Sequence, residues 1–367
     1  MATQLVNTGC NDGTVKTTTT TTTTVTTTAP GDGFDSTFNV EAQSFADLQL
    51  LRYQVPGFKS LSLQQKKLAY YLYEAALCGR DMIYDMKSKH GILLRKTIEG
   101  MYGSYKGDKN TEDWKKLEAY CGRFWFSNGN HHHYSNEKFI PECSFEYFSA
   151  VVKGCDPAML PMQQGEAADA FLARIKPMVY DMKFEPKVVD QRPNIDNIVN
   201  SSNNFYEGVT QKEVEAFYAK FDTKGNAPSW GLNSKLTKEN GQVVEKTWKS
   251  GGMYGAAIDK IAGWLQKASA VAENAEQKQA LDLLVKYYQT GDLKVWDDYN
   301  IAWVKDVNSR VDVVNGFIEV YLDAIGKKGS FESTVSIKDM EETKRIEAIA
   351  KEAQWFEDHS PIMKEHK

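Results

Sequence analysis

The sequence predicts a mainly α, α+β fold, in which a helix-rich lobe surrounds a small β-core. Apolar residues recur at three- and four-residue spacing through several long stretches, which is the pattern of helices with one buried face. Asn240-Gly241 lies between two short strand-like runs, and this dipeptide tolerates positive φ at both positions, so it predicts a β-hairpin. Two alternating runs with Gly326 and Gly329 between them predict a second strand pair: Val314, Gly316, Ile318, Val320 and Leu322, then Phe331, Ser333, Val335 and Ile337.

The first helix is predicted to begin after Ser62. Ser62 and Gln65 form a capping box, because each side chain can satisfy a free amide at the helix start. One continuous buried face follows it: Leu68, Leu72, Ala75, Ala76, Met82, Ile83 and Met86. A second helix begins near Thr111, with acidic residues in its first turn that suit the helix dipole.

Further helices are predicted along the rest of the chain. Thr210 and Glu213 form another capping box, and Gly291 is typical of a helix C-terminus. The last helix begins at about Asp339. The remaining helices are expected at about residues 144–153, 165–176 (ended by Pro177), 255–273, 275–290 and 293–306.

Composition places the chain among globular proteins. Its 367 residues are 41% hydrophobic and 25% charged, enough for a large core and for two domains. The net charge of −5 argues against a general nucleic-acid binder, because phosphate backbones require a basic surface. No run of about 18 apolar residues occurs, so no transmembrane segment is predicted.

Residues 1–34 are predicted to be a disordered, threonine-rich leader or linker, because such a tract cannot bury apolar surface. Thr8-Gly9-Cys10 is similar to the end of a bacterial lipoprotein cleavage site, in which the cysteine receives the lipid. Only nine residues precede Cys10, and they contain no apolar segment of a signal peptide. The localisation therefore stays open: cytoplasmic as the sequence is written, or a cell-envelope lipoprotein anchored through Cys10 if the true start lies upstream.

Three consecutive histidines, His131 to His133, are the first candidates for metal ligands. Zinc requires about four ligands that converge on one point, and side chains of consecutive residues point apart, so at most two of the three could bind one ion. The alternative is a loop in which these rings pack with aromatic side chains under Trp125 and Tyr134. Since no second ligand cluster or nucleophile motif accompanies them, no metal ligand and no catalytic residue is predicted in this chain.

Residues 309–316 place an acid, an amide and a glycine around a predicted strand start. A carboxylate at Asp312 that faces a cleft could hold the free α-amine of a peptide, as an enzyme needs when it counts residues from the N-terminus. The alternative is a turn with local hydrogen bonds between side chain and backbone.

Six segments between Phe45 and Glu357 carry a family resemblance. They are Leu50–Phe58, Leu63–Leu68, Gly79–Asp81, Trp125–Tyr134, Phe205–Thr210 and Asn315–Tyr321. In this order they resemble the dipeptidyl peptidase III family of zinc metallopeptidases, in the branch found in Bacteroides-like bacteria.

The resemblance implies two lobes separated by a wide cleft. The lower lobe has a small β-core, and the mostly helical upper lobe binds zinc through His-Glu-x-x-Gly-His and a later Glu-Glu motif. The implied reaction releases dipeptides from the N-terminus of short peptides, which lie extended against the β-core as an added strand. On this interpretation, residues 35–337 form the substrate-side lobe and residues 338–367 the first helix of the catalytic lobe.

The resemblance also assigns substrate-binding residues. Asp312 matches a glutamate that contacts the amino end of the substrate in the family, and Phe205 matches an aromatic residue that lines a subsite. Val314 departs from the family, because many relatives have there a tyrosine that stabilises the reacting carbonyl. Asn315 is added because it lies beside a glycine. Asp312, Asn315 and Phe205 are therefore the predicted substrate-binding residues.

The zinc motifs themselves do not occur in this sequence. No histidine is followed by glutamate, and the chain ends at Lys367, before the position of both motifs in the family. We therefore expect the N-terminal substrate-binding part of a zinc-dependent dipeptidyl peptidase, truncated and inactive alone, with zinc held by a missing C-terminal catalytic half. The alternative is a non-catalytic, lipid-anchored peptide-binding protein. In both cases the expected partners are short peptides, and exposed apolar surface is expected to make the chain associate.

Overall fold

The computed structural model describes residues 35–366, so the threonine-rich leader and Cys10 lie outside the described residues. Within this range the helices are α1 (Leu63–Cys78), α2 (Arg80–Lys87), α3 (Gly91–Ser104), α4 (Glu112–Ser127), α5 (Phe145–Lys153), α6 (Ala168–Tyr180), α7 (Asn197–Asn200), α8 (Gln211–Tyr218), α9 (Gly255–Ser269), α10 (Ala275–Thr290), α11 (Leu293–Lys305), α12 (Met340–Lys351) and α13 (Ala353–Asp358). The strands are β1 (Glu41–Phe45), β2 (Leu48–Leu51), β3 (Tyr206–Glu207), β4 (Ser234–Glu239), β5 (Gln242–Thr247), β6 (Val311–Phe317) and β7 (Phe331–Ile337). The mainly helical α+β prediction is confirmed.

The described strands form small separate sheets. β1 and β2 make a hairpin that the sequence analysis did not predict. β3 pairs in parallel with β4, and β4 pairs with β5 across the predicted hairpin, in which Asn240 and Gly241 both have positive φ. β6 and β7 form the second predicted pair, antiparallel, with Val311 opposite Ile337 and Phe317 opposite Phe331.

Several helices begin where local signals in the sequence predict that they should. The Ser62–Gln65 capping box begins α1, and the Thr210–Glu213 box begins α8. The hydroxyl of Thr111 accepts from the Trp114 amide at the start of α4. These side chains satisfy amides that the first helical turn leaves free. Local capping chemistry is thus enough to fix where these helices begin.

Two helix predictions were wrong, for packing reasons. The first predicted helix is divided at Gly79 into α1 and α2, and the ring of Phe331 packs so close to Gly79 that a Cβ there would overlap it. Pro177 does not end α6 but lies inside it, and the helix continues to Tyr180. Met178 and Val179 in that last turn are buried, so core packing outweighs the main-chain hydrogen bond that proline removes.

The strand pair near residue 314 forms as predicted, but most core side chains of β6 come from the face opposite to the predicted run from Val314. The face turned to the core carries Val311, Val313, Asn315 and Phe317. Val314 lies on the opposite, more open face. Ile318, Val320 and Leu322, which were predicted to continue this strand, belong to the connection between β6 and β7. Their alternation with polar residues does not indicate a strand there.

Two large hydrophobic cores organise the body. One joins α1, α9, α10 and α11 to the inner face of β6 and β7, with Leu68, Leu265, Leu284 and Val313 among its members. The other lies among α2 to α6 and contains Tyr84, Leu94, Phe124, Phe148 and Phe171. A smaller cluster lies between α8 and β4. Among the described residues, no helix is long and apolar enough to cross a membrane.

Candidate functional site

Asp312 lies on the open face of β6, where its carboxylate is held in one orientation. Its Oδ1 accepts a hydrogen bond from the indole Nε1 of Trp303, at 2.9 Å, and another from the amide of Val313, at 2.7 Å. Oδ2 has no hydrogen-bond partner among the described residues, and none of their cationic side chains forms an ion pair with Asp312. The arrangement leaves one oxygen of a fixed anion free to accept a hydrogen bond from a cation.

The surroundings of Asp312 are built by α11 and by β7. α11 supplies Trp303 beside the carboxylate and Trp296, whose ring covers Gly316 so closely that a Cβ there would overlap it. Burial, with the charge of Asp312 nearby, raises the pKa of Tyr299 far above its usual range. Ser336 lies opposite Asp312 on β7. The site is therefore an open sheet face bordered by aromatic rings.

Asn315 and Phe205 lie in the interior instead. Asn315 is 1% exposed; its Oδ1 accepts from the hydroxyl of Tyr288 and its Nδ2 donates to Ser333 Oγ at 2.9 Å. Phe205 is fully buried against the ring of Trp248. Of the three predicted substrate-binding residues, the structure brings only Asp312 to an open face. Roles for Asn315 and Phe205 in contacting substrate stay predictions, and both side chains have packing partners in the core.

A cavity of about 730 Å³ lies where β6 leads into the connection to β7. The chain reaches it from three directions, and the lining residues are His133, Tyr134, Ser135, Asn136, Lys187, Val189, Asp190, Gln191, Arg192, Tyr321 and Leu322. Tyr134 is 77% exposed and Tyr321 is 75% exposed. Two open phenol rings beside a polar wall are suited to binding the side chains of a peptide.

The histidine run builds one wall of this cavity. His131 is buried, its Nε2 is 2.7 Å from the carbonyl oxygen of Glu185, and burial lowers its pKa to about 4, so the ring is neutral. His132 Nδ1 accepts from the amides of Tyr134 and Ser135, each at 3.1 Å. The predicted ring packing is right for His133, which lies edge-on to Phe126, and wrong for Tyr134, which the loop turns outward.

The opposite wall is a charged segment that is largely self-paired. Arg192 donates to both oxygens of Asp190, and these hydrogen bonds hold the pKa of Asp190 below its usual range. Gln191 Nε2 donates to the carbonyl of Ala324, at 3.2 Å, and so ties this segment to the connection between β6 and β7. Sequence reasoning missed this cavity because its walls are distant in the chain, and although His133, Tyr134 and Tyr321 were each named, nothing in the sequence placed them together.

Residues 197–366 match the family model described as Peptidase family M49. Over 339 residues, 81% of this chain, the sequence is 20% identical to dipeptidyl peptidase 3 of Homo sapiens. These matches support a member of the dipeptidyl peptidase III family. Dipeptidyl peptidase 3 of Dictyostelium discoideum is 20% identical over 263 residues, which cover 67% of this chain and 36% of the relative.

Solved structures of this family share the fold. DPP III from Caldithrix abyssi has a TM-score of 0.56 at 17% identity, over 85% of this chain and 46% of the other. Dipeptidyl-peptidase III from Corallococcus sp. strain EGB has a TM-score of 0.53 at 18% identity, over 84% and 45%. The chain also spans 45% of the human relative's length, so it corresponds to about half of such a protein.

The dipeptidyl peptidase III family is zinc-dependent, but the residues described here do not fit a zinc ion. No group of three or more His, Cys, Asp or Glu side chains that could hold a metal occurs within residues 35–366. His131 and His132 use ring nitrogens to hold their own loop. No chemical step that involves zinc is therefore assigned to these residues.

Proposed function

We propose that this chain supplies the peptide-binding lobe of a dipeptidyl peptidase III-type exopeptidase, with short peptides as substrates. The observation that carries the proposal is the carboxylate of Asp312, which has a fixed orientation, an unpaired Oδ2 and no cation beside it among the described residues. The α-ammonium group of a peptide is a cation with three donors, so it can supply the missing partner. Binding at Asp312 would set the peptide's amino end at one place.

The strength of this contact follows from its charge. A hydrogen bond between ionised groups contributes about 1.5–3 kcal/mol, roughly twice a neutral one. Trp303 and Val313 already orient the carboxylate, so little rotational freedom is lost when the peptide binds. Free N-terminal amines are therefore favoured over acetylated ones.

The rest of the peptide is proposed to extend along the sheet toward the cavity. β6 and β7 pair only with each other among the described strands. At the outer edge of β6, side chains already bond both main-chain groups of Val311 and the amide of Val313, so we propose that an extended peptide adds along the edge beyond Val313. Asp312 and Tyr321 are nine residues apart in the chain, which limits the distance between them to roughly 30 Å. A peptide that extends from Asp312 in this direction is proposed to direct a side chain toward the phenol rings of Tyr134 and Tyr321.

We further propose that the chain alone binds peptides without hydrolysing them. This is supported by the side chains of residues 35–366, among which no group of three or more His, Cys, Asp or Glu could hold a metal ion. Zinc analysis and hydrolysis of a dipeptidyl-naphthylamide by the purified chain test this part separately. Hydrolysis by a chain that contains stoichiometric zinc would contradict the proposal that the chain alone does not hydrolyse peptides. It would not contradict the proposal that the chain binds them.

The test of Asp312 compares two versions of one fluorescent pentapeptide, with a free and with an acetylated N-terminus. We expect the free peptide to bind more tightly, and Asp312→Asn to weaken its binding by roughly tenfold or more, because the charge-assisted hydrogen bond is lost. Fluorescence anisotropy gives both dissociation constants.

Two variants control this experiment. Asp312→Glu keeps the charge and should keep most of the preference for the free amine. Asp298→Asn removes an exposed acid from another face of α11 and should change neither constant. Equal binding of the two peptides to the parent chain would rule out amine recognition at Asp312.

A further inference from the structure

Two side chains close the outer edge of β6 at its first residue. They come from the connection between α9 and α10 and from the first turn of α10. Glu273 Oε1 accepts hydrogen bonds from the main-chain amides of Arg310 and Val311, at 2.9 and 2.7 Å. Gln277 Nε2 donates to the carbonyl oxygen of Val311, at 2.7 Å. Both main-chain groups of Val311 with which an added strand would pair are therefore already bonded.

The block formed by Glu273 and Gln277 is itself held in place. Glu273 Oε2 accepts a hydrogen bond from Gln65 Nε2, at 2.6 Å, and Gln277 Oε1 accepts from the Glu273 amide, at 2.8 Å. Asn274 Nδ2 donates to Ser309 Oγ, at 2.9 Å, and so ties the same connection to the chain just before β6. Since both carboxylate oxygens of Glu273 already accept hydrogen bonds within the chain, this carboxylate serves the strand and not a ligand.

The carboxylate of Asp312 comes next along the same edge. In a strand the main-chain groups of alternate residues face the same edge, so the amide of Val313 faces the edge that is closed at Val311. This amide donates to Asp312 Oδ1, at 2.7 Å, which brings the carboxylate to that edge. The block therefore lies immediately before Asp312, and the stretch along which the peptide is proposed to add lies beyond it.

We infer that Glu273 and Gln277 determine specificity for the amino terminus, because they block a bound peptide from extending past Asp312 toward Val311. A peptide residue placed there would lose the water around its main-chain groups and find the edge already bonded, which is costly. The first residue of a peptide fits against the block, because nothing precedes its amine. Asp312 thus favours a charged amine, and the block excludes residues in front of it. The inference rests on the proposed function, since it assumes that the peptide's amine lies at Asp312.

Glu273 also acts as a positioning residue for Asp312. It holds the two amides at the start of β6, and Asp312 is the next residue after Val311. A carboxylate that binds an ammonium group by a directed hydrogen bond needs a fixed main chain beneath it. Loss of Glu273 should therefore weaken recognition of the amine although Glu273 does not contact the peptide.

Photo-cross-linking on the full chain tests the register. Peptides of four, five and six residues, lengthened at their amino ends, carry benzoylphenylalanine as their first residue. We expect every peptide to cross-link to the same part of the chain, within or beside residues 273–277 and 309–313, because the block fixes the first residue whatever the length of the peptide. Mass spectrometry of the digested products identifies the cross-linked segment. A segment that shifts as the peptide is lengthened would overturn the inference.

Substitutions of Glu273 test its positioning role, by fluorescence anisotropy with the free and the acetylated pentapeptide. Glu273→Ala should lower the preference for the free peptide by roughly threefold or more, because part of the charge-assisted hydrogen bond to a less fixed Asp312 is lost. Glu273→Gln keeps an oxygen for the amides of Arg310 and Val311 and should keep most of the preference. Glu276→Ala, at an exposed acid in the first turn of α10, is the matched control and should leave the preference unchanged.

The outcomes separate this inference from the proposed function. Equal binding of free and acetylated peptides to the parent chain would contradict both. A preference for the free peptide that Glu273→Ala leaves unchanged would overturn this inference alone and leave amine recognition at Asp312 in place. Circular dichroism shows whether Glu273→Ala keeps its helical content, and if it does not, cross-linking of the parent chain still decides whether the block sets the register.

Discussion

At the scale of single residues, Lys328 shows how strongly the fold can alter a side chain. It is 0% exposed, and its Nζ donates to the hydroxyls of Tyr218 and Ser234. Burial lowers its pKa to about 7, although Glu245 and Asp323 nearby act in the opposite direction. The local sequence could not predict this, because the two hydroxyls that accept from Lys328 Nζ, those of Tyr218 and Ser234, are more than 90 residues away along the chain.

This buried lysine makes a contribution to stability that rises with pH between about 7 and 10. In that range a lysine in the unfolded chain, with an ordinary pKa of about 10.4, holds its proton more often than Lys328 does in the folded chain, so the contribution of this residue to the free energy of unfolding increases with pH. One proton contributes at most about 1.4 kcal/mol per pH unit. Burial raises the pKa of Cys121 and of buried tyrosines such as Tyr120, and these groups act in the opposite direction as the pH approaches 9. Urea denaturation at pH 7.5 and 8.5 measures the change.

The variant Lys328→Met isolates this contribution. It should make the increase of stability with pH smaller by up to the share of one proton, while Lys87 and Lys138, whose pKa values burial lowers to about 8, keep their own contributions. Lys305→Met, at an exposed lysine of α11, is the control and should leave the pH dependence unchanged. The same pH dependence in Lys328→Met as in the parent chain would contradict the assignment.

At the scale of secondary-structure elements, local chemistry predicted helix starts better than helix ends. The capping boxes at Ser62 and Thr210 act over three residues, so the sequence contains the whole interaction. The glycine between α1 and α2 lies against the ring of Phe331, which is far away in the chain, and the continuation past Pro177 depends on a core built from several helices. Predictions failed where a distant contact decided the outcome.

The break at Gly79 gives a test of that explanation. Gly79→Ala should lower the free energy of unfolding by roughly 1–3 kcal/mol, because the added methyl group would overlap the buried ring of Phe331 and force the core to shift. Gly103→Ala in α3 is the matched control: no atom lies within 4 Å of its added Cβ, so it should be neutral or stabilise by up to about 1 kcal/mol. Urea denaturation compares the three proteins. Equal stability of parent and Gly79→Ala would show that the close contact with Phe331 does not require glycine at this position.

At the scale of the whole molecule, the sequence could predict Asp312 as a candidate site residue but not the cavity beside Tyr321. Asp312 was found from its sequence neighbours and its match to the family, and the structure places it on an open face. The cavity could not be found in that way. It exists because the loop at Tyr134, the segment at Asp190 and the connection at Tyr321 meet between the two cores, and no local pattern encodes that meeting.

The cavity leads to a prediction about peptide length. Tyr321→Ala should weaken binding of a pentapeptide by roughly two- to tenfold, because stacking on an exposed aromatic ring contributes about 0.5–1.5 kcal/mol. A dipeptide bound at Asp312 is too short to reach the ring, so its affinity should not change. Tyr53→Ala, at an exposed tyrosine that does not line the cavity, should leave both affinities unaltered. Isothermal titration with the two peptides separates these outcomes.

Two results would contradict this prediction. An equal loss of affinity for dipeptide and pentapeptide would place Tyr321 beside the amino end of the bound peptide. No loss of affinity for either peptide would show that the peptide does not enter the cavity.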